Sequence, residues 1–178
     1  MYQQIIKFWF EEIQPSQRWI KDEAFDALLI DRFSELHQQA RSCELYEWRK
    51  APLGRLAEII ILDQFSRNMF RNSARAFATD AMSLTLSQEA VACGADQALT
   101  AVQKSFLYMP FMHSESLKIH EITVKLFQRN GIQNNVNFEL AHKKIIERFC
   151  RYPHRNDILG RQSTAEEIEF LKQPGSGF

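Results

Sequence analysis

Residues 59–68 read Ile59-Ile60-Ile61-Leu62-Asp63-Gln64-Phe65-Ser66-Arg67-Asn68, and this stretch decides the fold. Four consecutive apolar residues point in every direction around a helix. A helix that is apolar all round is buried all round, so it sits at the centre of its fold. A buried strand reads the same over so short a run. The flanking Leu56-Ala57-Glu58 and Phe65 extend the pattern over about Arg55 to Met69, a helix length rather than a strand length. Asp63 then falls three residues after Ile60 and seven after Leu56, where the pattern expects an apolar side chain. A buried carboxylate without a partner is costly. Arg67, four residues on, or an arginine from the segment 151–161 is expected to pair with it. Two readings stand side by side: a pair that stabilises its own helix, or a polar wall facing a cavity.

Outward from this helix the chain reads as helices on both sides. One is expected over about Tyr2–Glu12 and one over about Asp22–Arg41, where Phe25, Leu28, Leu29, Phe33 and Leu36 recur at steps of three and four. Ala51-Pro52-Leu53-Gly54 reads as a loop. Further helices are expected over about Ala74–Ala92, capped by Gly94, and Asp96–Tyr108, stopped by Pro110. Two more run from about Ser114 to Asn130 and from about Asn135 to Phe149, the latter with Phe138, Ile145 and Phe149 in register. Ser163-Thr164-Ala165-Glu166-Glu167 is a capping-box signature, present twice, before a short last helix. No segment alternates long enough to be a strand. The expectation is an all-α chain of about eight helices in one domain over 1–173, stacked as antiparallel pairs, with a loose tail over 174–178.

Composition agrees. Only 6 Gly and 5 Pro in 178 residues leave few turns, and 14 Phe suit cores between helices. Arg outnumbers Lys 13 to 9, which favours planar, partly buried ion pairs. Lys+Arg equals Asp+Glu at 22 each, so neither a nucleic acid nor an anionic membrane is indicated as partner. The cysteines at 43, 93 and 150 are odd in number and far apart, with no Cys-x-x-Cys pair, which fits reduced thiols in a cytosol. The apolar stretch in Met1–Glu12 is too short for a signal-peptide core or a membrane span. A cytoplasmic location is therefore expected.

The remaining signals are polar residues that no local structure requires. Asn68 and Arg71 follow Arg67 on the next turns. His142 sits in an apolar stripe between Phe138 and Ile145, where a histidine is most often a satisfied core residue. His113 precedes Ser114 and Glu115; those two suit a helix N-terminus, but capping does not explain His113. Arg151-Tyr152-Pro153-His154-Arg155-Asn156 is the densest polar knot, and it reads either as a binding loop or as a tied loop whose arginines cap helix ends. No His-Glu-x-x-His or Asp-x-Asp spacing supports a metal, no Gly-x-Ser-x-Gly elbow a serine nucleophile, and no glycine loop a phosphate cradle. No cofactor is indicated.

Three stretches carry a resemblance. Leu62-Asp63-Gln64-Phe65-Ser66-Arg67-Asn68 with Arg71 and Ala76-Phe77-Ala78-Thr79-Asp80 is the first, and Tyr108-Met109-Pro110-Phe111-Met112-His113-Ser114-Glu115 the second. Phe149-Cys150-Arg151-Tyr152-Pro153-His154-Arg155-Asn156 with Leu159-Gly160-Arg161 and Ser163-Thr164 is the third. In order and spacing they resemble the signatures of the bacterial domain-of-unknown-function family 924. The resemblance implies a compact all-helical fold similar to tetratricopeptide-repeat superhelices, and no established activity. Against that family's pattern Cys150 stands where Gly is usual, Tyr152 where Phe is usual, and His120 where Gln is usual.

Three functions compete. The first is a binding module whose pocket takes a small anionic ligand or a peptide end. Its candidate residues are Asp63, Arg67, Asn68, Arg71, His113, Glu115, His142, His154, Arg155 and Asn156. Arg67, Arg71 and Arg155 outnumber Glu115 there, so a net positive lining is expected. The second is a polar network that only locks helices together, with a protein-interaction role. The third is an acid-base enzyme in which His113 or His142 works beside Glu115 on an anionic small molecule.

Overall fold

A computed structural model describes residues 1–177. The chain opens with α1 (Tyr2–Lys7), prolonged by a π-helical turn at Phe8–Glu12. Helix α2 covers Glu23–Arg41, and its first turn is capped by Asp22, which accepts from the Ala24 and Phe25 N–H groups. Residues 59–68 lie in one continuous rod: α3 (Pro52–Ile60), a π-helical turn at Ile61–Phe65, and α4 (Ser66–Met69). Then come α5 (Asp80–Ala92), α6 (Ala101–Met112), α7 (Leu117–Asn130), α8 (Gln133–Phe149) and α9 (Ala165–Leu171). Counting the rod once gives eight helical rods, and no strand, among the described residues.

The central rod is buried all round. Ile59, Ile60, Ile61, Leu62 and Phe65 are each 0% exposed, with α1, α2, α5 and α6 packed on different sides. The phenylalanines fill the seams: Phe8, Phe33 and Phe65 meet with ring centroids 4.9 and 5.2 Å apart, and Trp9 lies 5.5 Å from Phe65. Each such ring is worth roughly 1.5–3 kcal/mol in apolar burial. Helices α7 and α8, joined by a turn in which Gly131 takes φ 79°, pack against each other, and α7 packs on α6. No helix is long and apolar enough, among the described residues, to cross a membrane.

Local expectations shift in four places. Pro110 does not stop its helix but lies inside α6. Its lost bond and ring clash cost about 3 kcal/mol; the same helix buries Phe106, Leu107, Tyr108, Met109, Phe111 and Met112, whose combined burial outweighs that cost. Gly54 is helical, not in a loop: Pro52 opens α3 at its first position, and a Cβ on Gly54 would overlap the Trp48 carbonyl. The helices expected from Ala74 and Asp96 each begin as a separate 3-10 turn, Ala74–Phe77 and Ala95–Ala98, before α5 and α6 proper. The Thr100–Gln103 capping box sets the true start of α6. On α8 the buried face is Val136, Glu139, His142, Ile145 and Ile146, and Phe138 is 58% exposed. The last helix carries the expected capping box, Thr164 with Glu167. Beyond it Ser176 donates to the Leu171 carbonyl and Gly177 lies near His154; the expected loose tail ends at Phe178, outside the described residues.

Candidate functional site

Asp63 lies on the π-helical turn of the central rod and is 0% exposed. A π-turn inserts an extra residue and rotates the next turn of helix about the axis, a device common at functional sites. The carboxylate is tied on both oxygens. Oδ1 meets Arg67 Nη1 at 3.0 Å and accepts from His113 Nδ1 at 2.7 Å, while Oδ2 accepts from Gln64 Nε2 at 2.6 Å. Arg67 and His113 hold the carboxyl well below the usual carboxylate range despite its burial. Arg67 in turn forms a two-pronged pair with Asp80 at 3.0 and 3.1 Å.

His113 sits at the C-terminal end of α6, 50 residues from Asp63. Burial and the nearby Arg67 push its imidazole down, so it is neutral at pH 7 with its proton on Nδ1, shared with Asp63. Its Nε2 has no protein partner among the described residues. His142 donates Nδ1–H to the Phe138 carbonyl at 2.7 Å and is pushed down to about 3, chiefly by burial. Burial pushes His154 down to about 4.

Arg155 is 6% exposed, its guanidinium sandwiched between the rings of Phe77 and Tyr152 at 4.7 and 4.5 Å. Among the described residues it makes one long contact, Nη1 to Asp80 at 3.3 Å, and its buried Nε has no partner. Arg71 is fully engaged: it grips Asp26 at 2.6 and 2.8 Å and reaches the Asn68 side-chain oxygen at 3.0 Å.

Six of the ten sequence-selected residues, Arg67, Arg71, His113, His142, His154 and Arg155, line one cavity of about 490 Å³. Lys21, Asn72, Phe77 and Tyr152 complete much of its wall. Asp63 stands behind Arg67 and His113, and Asn68 props Arg71. Glu115 and Asn156 do not join them. Glu115 accepts from Arg161 at 2.7 and 2.9 Å and from the Tyr152 N–H at 2.7 Å, and it faces a second cavity of about 410 Å³. Asn156 is fully buried, accepting from Arg161 and donating to Ser163. Both hold the 151–163 loop in place. The histidine's carboxylate partner is therefore Asp63, not Glu115. Four cationic side chains line the cavity, Lys21, Arg67, Arg71 and Arg155, and three carboxylates behind them, Asp26, Asp63 and Asp80, pair with the arginines.

The second cavity shares Phe77, His113 and Arg155 with the first, and adds Ala81, Leu84, Pro110 and Leu159. A different buried pair, His120 and Glu139, touches neither cavity: Nδ1 meets the carboxyl at 2.8 Å and Nε2 donates to the Ser114 carbonyl, both side chains at zero exposure. Among the described residues no three His, Cys, Asp or Glu side chains gather in a way that could hold a metal ion. Asp80 belongs to the first of the three signature stretches but is not among the candidate site residues, because nothing in its spacing ties it to Arg67; Lys21 stands in an exposed link between helices with no pattern to mark it.

The family model described as "Bacterial protein of unknown function (DUF924)" matches residues 5–175. A solved structure of a protein of unknown function from Agrobacterium tumefaciens is 36% identical, covers 96% of each chain and superposes with a TM-score of 0.91. No protein of curated function matches.

Proposed function

The chain belongs to the bacterial DUF924 family, and we propose that it binds a small anion, a phosphate or a free carboxylate such as a peptide end, in the cavity between Arg67, His113 and Arg155. The observation that carries this reading is Arg155. A guanidinium offers five N–H donors, and this one, nearly buried, uses a single long contact and leaves Nε bare. A buried donor without an acceptor costs about 1–3 kcal/mol. An anion in the cavity removes that cost and gains charge-assisted bonds. Lys21 adds a charge with no carboxylate against it among the described residues. A cavity of this size, with a few convergent polar groups, is of the scale of small-molecule sites. The three exposed, free cysteines support a reducing cytosol as its setting.

The test is a thermal-shift titration with inorganic phosphate, sulfate and succinate. A saturable rise in melting temperature is expected for at least one, because a ligand that binds only the folded state stabilises it by mass action. Arg155→Gln abolishes the rise. If no compound shifts the wild-type protein and Arg155→Gln merely melts lower, the polar residues are an internal lock and the binding reading fails.

A further inference from the structure

We infer that Asp63 and His113 form a base dyad that directs water against an ester whose acid half carries an anionic group. This inference rests on the anion-binding reading above. It starts from a redundancy: Asp63 already has Arg67 and Gln64 as partners, so its buried charge is compensated without His113. What the 2.7 Å contact adds is control of the imidazole. It fixes the proton on Nδ1 and leaves Nε2 as the lone-pair nitrogen, and the ring borders both cavities. An orienting carboxylate, a tautomer-locked histidine and an open Nε2 are what general-base chemistry needs. The His120–Glu139 pair shows the alternative: there the second nitrogen is consumed by a carbonyl and no cavity is adjacent. His142 borders the same cavity as His113, but its Nδ1–H goes to a backbone carbonyl rather than to a carboxylate.

The two cavities define the substrate. His113 and Arg155 stand on their shared wall. The anionic acid half lies in the arginine-lined chamber with its charge on Arg155, and an uncharged alcohol half lies in the other, against Leu84, Pro110 and Leu159 and beside the Asp80 and Glu115 carboxylates. Water attacks the carbonyl carbon as its proton passes to Nε2. The carbon–oxygen bond to the alcohol then breaks, and the leaving oxygen takes that proton from Nε2. Acid and alcohol are released with the histidine neutral again.

The probe is the 4-nitrophenyl hemiester of succinic acid, with neutral 4-nitrophenyl acetate for comparison. Saturable hydrolysis of the hemiester is expected, with kcat/KM at least about tenfold above the acetate. His113→Gln lowers kcat by about 100-fold or more. The wild-type rate also rises with pH and levels off at a midpoint below the ordinary imidazole value of about 6.5, since burial and Arg67 lower the His113 midpoint by more than Asp63 and Asp80 raise it; the neighbouring His142 and His154 titrate near 3 and 4. This profile decides the matter if His113→Gln does not fold. No saturable hemiester hydrolysis, an unchanged rate in His113→Gln, or a rate whose midpoint lies at or above about 6.5 overturns the dyad. A phosphate-induced melting shift without hydrolysis overturns the dyad alone; absence of both overturns the binding reading as well.

Discussion

Asp63 carries its charge at zero exposure, and the surrounding side chains make that tolerable. Replacing it with Ala leaves Arg67 with Asp80 as its one carboxylate among the described residues and the His113 Nδ1–H without its acceptor; a loss of about 3 kcal/mol in unfolding free energy is expected by chemical denaturation. A loss below about 0.5 kcal/mol would belong to a surface residue and would contradict this burial. The histidines give a pH signature. Burial holds His37 and His154 down to about 4 and His142 to about 3. In the unfolded chain each titrates near 6.5. Between those limits the unfolded chain binds protons that the folded chain refuses, so stability falls as pH drops below about 6.5, and the depressed carboxyls of Asp63, Glu115 and Glu167 carry the fall on below about pH 4. Glu139, raised by burial, works the other way but is one group against three. Denaturation at pH 7.5, 6 and 5 checks this, and a constant unfolding free energy would contradict neutral, buried imidazoles. Asp63 is legible in the sequence because it interrupts an apolar helix by position. Its pairing with His113 is not, because a contact across 50 residues leaves no periodic trace.

At the scale of elements, the chain follows or ends helices with left-handed residues, and three of them, Cys43, Asn72 and Cys150, are not glycine. Cys150 closes α8 at φ 56°, a conformation that costs an L-residue roughly 1–2 kcal/mol and glycine almost nothing. Its thiol is exposed. Cys150→Gly is therefore expected to raise stability by about 1 kcal/mol; a fall would show that the side chain packs. Gly54 is the opposite case. Because the Trp48 carbonyl occupies the place of a Cβ, Gly54→Ala must push backbone apart, and a loss of about 3 kcal/mol is expected. Helix existence is readable from three- and four-residue spacing and from caps such as Thr164–Glu167. Boundaries are less so. Pro110 reads as a stop because local propensity ignores the apolar area its helix buries, and Phe138 reads as buried because one residue of register separates the apolar spacing from the face that α7 covers.

For the molecule as a whole, the all-helical architecture follows from one rod that is apolar on every side and from amphipathic helices that need it as a floor. The proposed site lies where that rod turns polar, at Asp63 and Arg67, and meets the end of α6 and the 151–163 loop. Spacing alone leaves a pocket and an interlocked network as alternatives. The structure joins them: Asp63, Arg67 and Asp80 interlock, and the face they present borders an open cavity. Which polar residues face inward cannot be read from spacing, since Glu115 and Asn156 look no different in sequence from Arg155. The central claim is that Arg155 awaits an anion, and diffraction from crystals soaked in inorganic phosphate tests it most directly. The account predicts a phosphate oxygen within hydrogen-bonding distance of Arg155 Nε, inside the cavity bordered by Arg67 and His113. Phosphate absent from that cavity at saturating concentration, with Arg155 Nε facing only solvent or protein, would contradict it.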